Sequence, residues 1–162
     1  MTSPRLPRRG HTLIELLVVL AVLAVLAAMA MPLAEVTAQR EKERELKRAL
    51  WEIRDALDAY HRARLAALGP GVSAGVSTWP PDLPALTQPM PDLRAGREGE
   101  VLRFLRRVPR DPFADPALPP EKSWGLRSYL SEADKPQAGV DVYDVYSRSN
   151  AVGLNGIALA QW

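Results

Sequence analysis

The run LIELLVVLAVLAVLAAMAMPLA, from Leu13 to Ala34, decides the fold of this chain. It is 22 residues long and carries a single charge, Glu15, and a single proline, Pro32. As a helix rising about 1.5 Å per residue it would extend roughly 33 Å, which is enough to cross the hydrocarbon core of a bilayer. The run therefore predicts a transmembrane helix, which we assign to residues 11–34.

The segment ahead of this run is basic. Arg5, Arg8 and Arg9 lie there with no acidic residue, so the positive-inside rule places the short N-terminus in the cytoplasm and exports the rest of the chain. These arginines also explain the basic balance of 21 Lys and Arg against 19 Asp and Glu. Without them 18 basic residues remain, and a nearly neutral body has no electrostatic footprint for nucleic acid.

An ordinary secretory signal peptide is the alternative explanation of this segment, with Ala28-Met29-Ala30 as a small-x-small cleavage site. Glu15 argues against it, because a carboxylate within the span costs about 2.5–3.5 kcal/mol and a signal peptide has no use for one. The cost is smaller near the end of the run, where the side chain can reach the interface. Both alternatives stay open, with a retained anchor favoured.

Residues 35–68 have the pattern of an amphipathic helix. Apolar side chains recur at spacings of three and four, as one buried face requires. They are Leu46, Leu50, Ile53, Leu57, Tyr60 and Leu68, with Arg64 interrupting the series. One helix is therefore predicted from Leu13 to Leu68, and Gly69-Pro70-Gly71 ends it.

Residues 69–162 are predicted to form a globular α+β domain. Twelve of the 15 prolines lie between Pro70 and Pro136, which excludes another long helix, although a short one is expected from Glu98 to Arg107. The segments Leu126–Leu130 and Val140–Tyr146 alternate as strands do. The fold expected is a long helix packed on a small antiparallel sheet, and eight aromatic residues in this region argue against disorder.

Several classes of function are excluded by composition. The chain has no cysteine, so it has no disulfide, thiolate metal site or thiol nucleophile. Its two histidines, His11 and His61, are too few for most histidine metal sites. Phosphate-binding loops and hydrolase motifs do not occur, and Asp111 and Asp115 stand beside prolines as turn residues. We therefore expect a protein that is not an enzyme.

The stretch RGHTLIELLVVLA, from Arg9 to Ala21, followed by Ala30-Met31-Pro32, resembles the N-terminus of type IV pilins and pseudopilins. The resemblance implies that residues 1–10 are a leader that prepilin peptidase removes by cutting after Gly10. It also implies methylation of the new N-terminus at His11, where the family usually has phenylalanine.

The resemblance gives the two unusual residues of the apolar run a role in assembly. It implies that the Glu15 carboxylate of an incoming subunit pairs with the N-terminal amine of its neighbour. It implies that Pro32, which lacks an N–H, marks the place where the helix can lose hydrogen bonds and extend. The chain would then be a single-pass protein of the bacterial inner membrane, with residues 69–162 in the periplasm.

Four later segments are similar to the major pseudopilin of type II secretion systems: WPPDLPAL, RVPRDPF, WGLRSY and DVYDVYS, which begin at Trp79, Arg107, Trp124 and Asp141. The resemblance implies a subunit of a periplasmic filament that drives protein export. Its partners would be further copies of itself, other pseudopilins, prepilin peptidase and the inner-membrane secretion platform. A minor pilin of a type IV pilus or competence apparatus is the alternative, and a membrane-anchored enzyme or binding protein is a more distant one.

The loop after the last predicted strand departs from that family. Its relatives bind calcium there, whereas Ser147 to Gly156 contains no carboxylate and adds Arg148. Calcium prefers six to eight oxygen ligands with carboxylates among them. We therefore expect no cofactor, with calcium the one candidate left by the resemblance. The loop is expected to be held by hydrogen bonds and by two buried side chains, and the residues concerned are Ser147, Ser149, Asn150, Asn155, Leu154 and Trp162.

Overall fold

A computed structural model describes residues 12–68, 77–92, 97 and 99–162, with the side chains of 29–33 left out. The chain divides into two compact units, of which the first ends at Gln39 and the second begins at Arg40.

One α-helix, α1, runs over Leu13–Leu68 and contains 56 residues. Its bounds are those predicted from the apolar periodicity, and its composition is dominated by alanine, leucine, glutamate and arginine, which are strong helix formers. Pro32 lies within α1. The predicted stop at residues 69–71 lies outside the described residues.

In the first unit, the described side chains of α1 up to Ala28 are all exposed. The large apolar ones, from Leu13 to Leu26, are between 50 and 76% exposed. Within the part of the chain that the structure describes, no helical stretch is long and apolar enough to cross a membrane.

In the second unit, one face of α1 is buried. Leu46, Leu50, Ile53 and Leu57 are at most 2% exposed, and alanines at 49 and 56 lie between them. The predicted face ends earlier than expected, because Leu68 is 39% exposed. The buried apolar stripe, from Leu46 to Leu57, is therefore about three turns long.

Two small antiparallel sheets follow α1. The first pairs β1, Met90–Pro91, with β2, Val101–Leu102. The second pairs β3, Trp124–Arg127, with β4, Asp144–Ser147, so that Trp124 lies opposite Ser147. Short 3-10 helices occur at Pro84–Thr87, Pro120–Lys122 and Leu159–Gln161.

The core of the second unit joins the buried face of α1 to the second sheet and to three loops. The buried residues that these parts contribute are Leu83, Leu86, Leu105, Trp124, Val142, Val145 and Leu159. Each such side chain adds about 1.5–3 kcal/mol on leaving water. The predicted α+β architecture, a long N-terminal helix packed on a small antiparallel sheet in the manner of a pilin, is confirmed.

The short helix predicted from Glu98 to Arg107 is wrong over the described residues. Val101 and Leu102 pair with β1 instead, and the backbone N–H groups of Phe104 and Leu105 both donate to the Leu86 carbonyl, at 3.2 and 2.9 Å. These donors are therefore not available to bond within a helix.

The two predicted strands exist but with shifted bounds. The first begins two residues earlier than expected and ends at Arg127, because the next N–H, of Ser128, donates to the Gln137 carbonyl at 2.9 Å. The second begins only at Asp144, because the N–H of Val142 donates to the Pro80 carbonyl at 2.8 Å. Hydrogen bonds to residues outside the sheet thus decide where the first strand ends and where the second begins.

Candidate functional site

The start of α1 is capped by its own sequence. Thr12 precedes the first helical residue, and its Oγ1 accepts a hydrogen bond of 3.4 Å from the N–H of Glu15. Threonine followed three residues later by glutamate is the capping-box pattern. A carboxylate in the first turn is also favoured by the helix dipole. Thr12 therefore caps the first turn of α1, which the Thr-x-x-Glu spacing could have predicted.

The other residues of the predicted N-terminal site are only partly described. Gly10 and His11 lie outside the described residues. Pro32 belongs to the helical backbone of α1, but its side chain lies outside the described ones. Their predicted roles in cleavage, methylation and assembly stay predictions.

Glu15 stands in a surface that is otherwise apolar. Ile14 is 69% exposed, Leu16 54% and Leu17 56%. Because the described residues of the chain do not bury these side chains, a partner that removes them from water would form a contact stabilised by the hydrophobic effect. The described first unit thus presents a carboxylate within an uncovered apolar helix.

The loop after β4 is held by side-chain hydrogen bonds, as predicted for three of its residues. Ser147 Oγ donates to the carboxylate of Asp111 at 2.7 Å and accepts from the N–H of Ser149 at 3.2 Å. Ser149 Oγ accepts from Ala151, and Asn155 Oδ1 accepts from the N–H of residue 157 at 3.1 Å. Side chains of the loop therefore accept hydrogen bonds from several of its own backbone N–H groups.

Two side chains of α1 bind this part of the chain. Glu43 accepts a hydrogen bond of 2.8 Å from the N–H of Leu154, and Arg54 donates to Asp144 at 2.8 Å. Arg54 also donates to the carbonyls of Val145 and Trp162, at 3.1 and 2.8 Å. The guanidinium therefore joins α1, β4 and the last residue of the chain.

Of the two side chains predicted to be buried, Trp162 packs against the core and Leu154 does not. Trp162 packs against the core, with Lys47 Nζ 4.4 Å from its ring centroid. Leu154 is 51% exposed, because its backbone N–H, rather than its side chain, makes the contact with α1 through Glu43. Glu43 and Arg54 were missed, since each lies at least 90 residues from its partners in the sequence.

The carboxylates near the loop are engaged by protein groups. Asp111 is fully buried and accepts from Ser147 and from the N–H of Phe113 at 2.8 Å. Asp115 Oδ1 likewise accepts from the N–H of residue 117, so both aspartates act in turns, as predicted. Among the described residues, no three histidine or acidic side chains lie together as a metal-binding group. The expectation of a metal-free loop stays a prediction.

A third feature, which sequence reasoning did not find, is an open cavity of about 380 Å³. His61, near the end of α1, stacks on Trp79 with 4.1 Å between ring centroids and 3° between planes. His61 Nδ1 lies 2.7 Å from Thr78 Oγ1. Trp79 also meets Tyr143 edge to face at 4.9 Å. These ring contacts make one wall of the cavity rigid.

Asp141 lies at the base of this cavity and is 4% exposed. Burial raises the pKa of its carboxyl, but hydrogen bonds from Ser128 Oγ at 2.6 Å, Ser77 Oγ at 2.5 Å and the N–H of Tyr129 at 3.0 Å outweigh burial. The pKa is therefore lowered from its ordinary value of 3.8. The carboxylate stays ionised at neutral pH and holds three separate segments together.

Comparison with known families identifies the N-terminal segment. The family described as the prokaryotic N-terminal methylation motif matches residues 5–31. This match supports the pilin and pseudopilin class and indicates a type IV pilin-like substrate of prepilin peptidase. No curated protein and no solved structure matches the chain.

Proposed function

We propose that the chain is a pseudopilin of a type II secretion system, cut after Gly10 and assembled into a periplasmic filament that drives protein export. The observation that carries this proposal is the methylation motif at residues 5–31, within which α1 begins at Leu13 and keeps its described apolar side chains exposed up to Ala28. A minor pilin of a type IV pilus or competence apparatus is the alternative. In either case the chain is a structural subunit and not an enzyme.

Before assembly, residues 11–34 would anchor the chain once in the inner membrane, with the second unit in the periplasm. The uncovered side chains of the first unit support this proposal, because lipid or neighbouring helices would remove them from water. The arginines at positions 5, 8 and 9 support the orientation.

Assembly would use the charge of Glu15. In the filament its carboxylate would pair with the N-terminal amine at His11 of a neighbouring subunit, and opposite charges attract strongly where water is excluded. The cap at Thr12 supports the geometry of this proposal, since it holds Glu15 in the first turn of α1. Capping alone, however, would also explain a glutamate at this position.

Glu15→Gln separates the two roles. Glutamine keeps the capping box but loses the charge, whereas Glu15→Ala loses both. Both variants should insert in the membrane and be cut at Gly10, and both should fail to form filaments or crosslinked oligomers. Mass spectrometry of the membrane form should find an N-terminus at His11. Filaments from Glu15→Gln at the unaltered yield would show that Glu15 is only a cap.

Deleting the gene distinguishes a pseudopilin of a secretion system from a subunit of a pilus. Loss of exoprotein from the medium, with surface pili and DNA uptake intact, is the result expected of a pseudopilin. Restoration by the intact chain but not by Glu15→Gln would connect that loss to assembly. Loss of pili or of DNA uptake, with secretion intact, would favour the alternative.

A further inference from the structure

Arg54 of α1 is bound by oxygen atoms of β4 and of Trp162. Its Nε donates to the carboxylate of Asp144 at 2.8 Å, and its Nη2 donates to the carbonyls of Val145 and Trp162 at 3.1 and 2.8 Å. A carboxylate and backbone carbonyls are also ligands that a hard cation such as calcium takes in proteins. The positive charge of Arg54 is therefore held by the kind of groups that hold a metal ion.

The carboxylate of Asp144 also faces a second guanidinium. Arg127 lies opposite Asp144 in the sheet of β3 and β4, and its Nη2 is 3.7 Å from the other carboxylate oxygen. The Arg127 guanidinium lies 4.8 Å from the ring centre of Tyr143. Arg54 makes the closer contact with Asp144, at hydrogen-bond distance, and so contributes the stronger interaction.

A small cavity of about 160 Å³ adjoins this ion pair, and Arg54, Asp58, Tyr143 and Asp144 line it. Asp58 lies one turn after Arg54 on α1 and is exposed. An ion in the place of the guanidinium would therefore have a second carboxylate nearby, together with water.

The calcium ion that the resemblance to pseudopilins implies does not fit the loop after β4. Residues 147–156 contain no carboxylate. Two buried carboxylates approach this loop from other segments, those of Asp111 and Glu43, and both accept hydrogen bonds from the loop itself. Asp144, which stands just before the loop, is bound by Arg54. These residues are thus arranged around an internal positive group and not around a metal ion.

We infer that Arg54 is the resident cation of this site and fills the place that a metal ion would otherwise take between α1, β4 and Trp162. The second unit is then closed by a charge of its own chain, without an ion from solution. A covalently attached charge cannot dissociate, so the closure does not change with the calcium concentration. This role is the same whether the chain serves a secretion system or a pilus.

Val145 is a suitable reporter of this closure. Its side chain is fully buried, and its carbonyl accepts a hydrogen bond from Arg54. Since the chain contains no cysteine, Val145→Cys introduces the only thiol and nearly conserves the volume of the side chain. The rate at which a thiol reagent labels the full chain in detergent then measures how often β4 opens.

Arg54→Ala in this Val145→Cys chain should raise the labelling rate roughly five- to thirtyfold in the absence of calcium, because three hydrogen bonds are lost. About 10 mM calcium should then slow the labelling of this variant at least about threefold, as expected of a weak oxygen site that binds only the folded state. The same calcium should not change the rate of the Val145→Cys chain that keeps Arg54, because the guanidinium already fills the site.

Three controls identify the cause of the calcium effect. Sodium chloride of equal ionic strength should not replace calcium, since screening alone does not fill the site. Arg54→Lys keeps a positive charge at this place, so calcium should not slow its labelling, whatever its starting rate. Asp144→Asn added to Arg54→Ala should abolish the calcium effect, because it removes the carboxylate that Arg54 binds.

Protection of Arg54→Ala alone by calcium supports the inference, and so does an Arg54→Ala chain that folds only with calcium present. A labelling rate that Arg54→Ala does not raise, or that calcium does not lower in this variant, overturns it. Calcium protection that also appears with Arg54 or Arg54→Lys in place, or that survives Asp144→Asn, overturns it as well. None of these results depends on cleavage at Gly10 or on filaments, so the proposed function is tested separately.

Discussion

The two units of this chain use the same helix in opposite ways. In the first unit, every described side chain up to Ala28 is exposed although nearly all of them are apolar. In the second, α1 buries a stripe centred on Leu50 and Ile53, and its charged face remains in water. The periodicity of the apolar residues accounts for the difference, since a helix that is apolar all round requires a partner on every side.

The two units also differ in how their polar groups are satisfied. In the second unit, Arg54, Asp111 and Asp141 are each satisfied by atoms of the same unit. In the first unit, Thr12 caps the helix by accepting from the N–H of Glu15, and the surrounding apolar side chains lack cover from the described chain. The second unit is thus built to fold around its own core, whereas the first is built to be covered by other molecules.

Truncating one leucine in each unit should show the largest difference between the two units. Leu50→Ala leaves a cavity in the core at a residue that is 2% exposed, so it should cost about 2–5 kcal/mol. That loss corresponds to a fall in melting temperature of the order of 10 °C. Thermal unfolding of the full chain in detergent, followed by near-ultraviolet circular dichroism, measures it.

Leu20→Ala is the matched control in the first unit. Leu20 is 62% exposed, so its truncation should leave the melting temperature unchanged and should lower the yield of filaments instead. Equal destabilisation by both substitutions would mean that Leu20 contributes to the folded core as Leu50 does, contrary to its exposure.

Removing Arg54 should have the next largest effect, because Arg54 joins α1 to β4 and to the carbonyl of Trp162. The guanidinium donates to Asp144 and to two backbone carbonyls, but its side chain is 38% exposed, so solvent screens part of the interaction. Arg54→Ala should therefore lower the free energy of unfolding by about 1–2 kcal/mol, towards the low end for hydrogen bonds that involve charged groups. Urea unfolding of the full chain measures the change.

Arg48→Ala is the control, because Arg48 is an exposed arginine on the same helix. It should change the free energy of unfolding by less than about 0.5 kcal/mol. If Arg54→Ala has no larger effect than this control, Arg54 does not hold the C-terminal residues to α1.

The helix could be predicted residue by residue, while the contacts of Arg54 could not. The bounds of α1 follow from local information, namely apolar periodicity and the glycine and proline after Leu68. Arg54 meets Val145 and Trp162 across 91 and 108 residues, and no local pattern pairs an arginine with carbonyls so far away. For the same reason the strand bounds were shifted, because Pro80 and Gln137 bind the backbone at their ends.

The sequence motif of the N-terminal site was recognised, but the hydrogen bonding at the start of its helix was not predicted. The residues around Gly10 carried the resemblance that the family match supports, whereas the cap at Thr12 was overlooked although its spacing is local. The cavity at His61 depends on rings from three separated segments, among them Trp79 and Tyr129. Such a cavity needs the tertiary fold and cannot be derived from spacing.

Acid should weaken the second unit through Asp141. Because its pKa is lowered in the folded state, the carboxylate stabilises the fold above its ordinary value of 3.8, and this contribution is lost as the pH falls through the lower folded pKa. Asp141→Asn should therefore flatten the fall in melting temperature below about pH 4. It should also lower stability at pH 7 by about 1 kcal/mol, since an amide oxygen cannot accept all three hydrogen bonds. Melting curves from pH 7 to pH 2 measure both effects.

Asp134→Asn is the control for this titration. Asp134 is exposed in the loop after Leu130, so its loss of charge should change neither the stability at pH 7 nor the slope in acid. A slope that survives in Asp141→Asn would assign the acid sensitivity to other carboxylates.

Calcium should have the smallest effect, and testing it sharpens the same comparison. If the second unit satisfies its own polar groups, the loop from Ser147 to Gly156 needs no ion. Arg54 already binds Asp144, and Ser147 and the N–H of Leu154 already donate to two buried carboxylates beside the loop, those of Asp111 and Glu43. The positive charge that a cation would bring is thus supplied there by an arginine of α1.

The full chain should accordingly melt at the same temperature in excess calcium and in chelator, because a ligand that binds only the folded state must raise stability by mass action. Arg54→Ala adds a stricter comparison, since it removes the closer of the two guanidinium groups beside the Asp144 carboxylate, at 2.8 Å, and leaves Arg127 at 3.7 Å. If Arg54 occupies the position that a cation would take, calcium should raise the melting temperature of this variant alone. A rise of several degrees in the unaltered chain would show that the loop binds the ion despite its lack of carboxylates, and that the second unit does not close by itself.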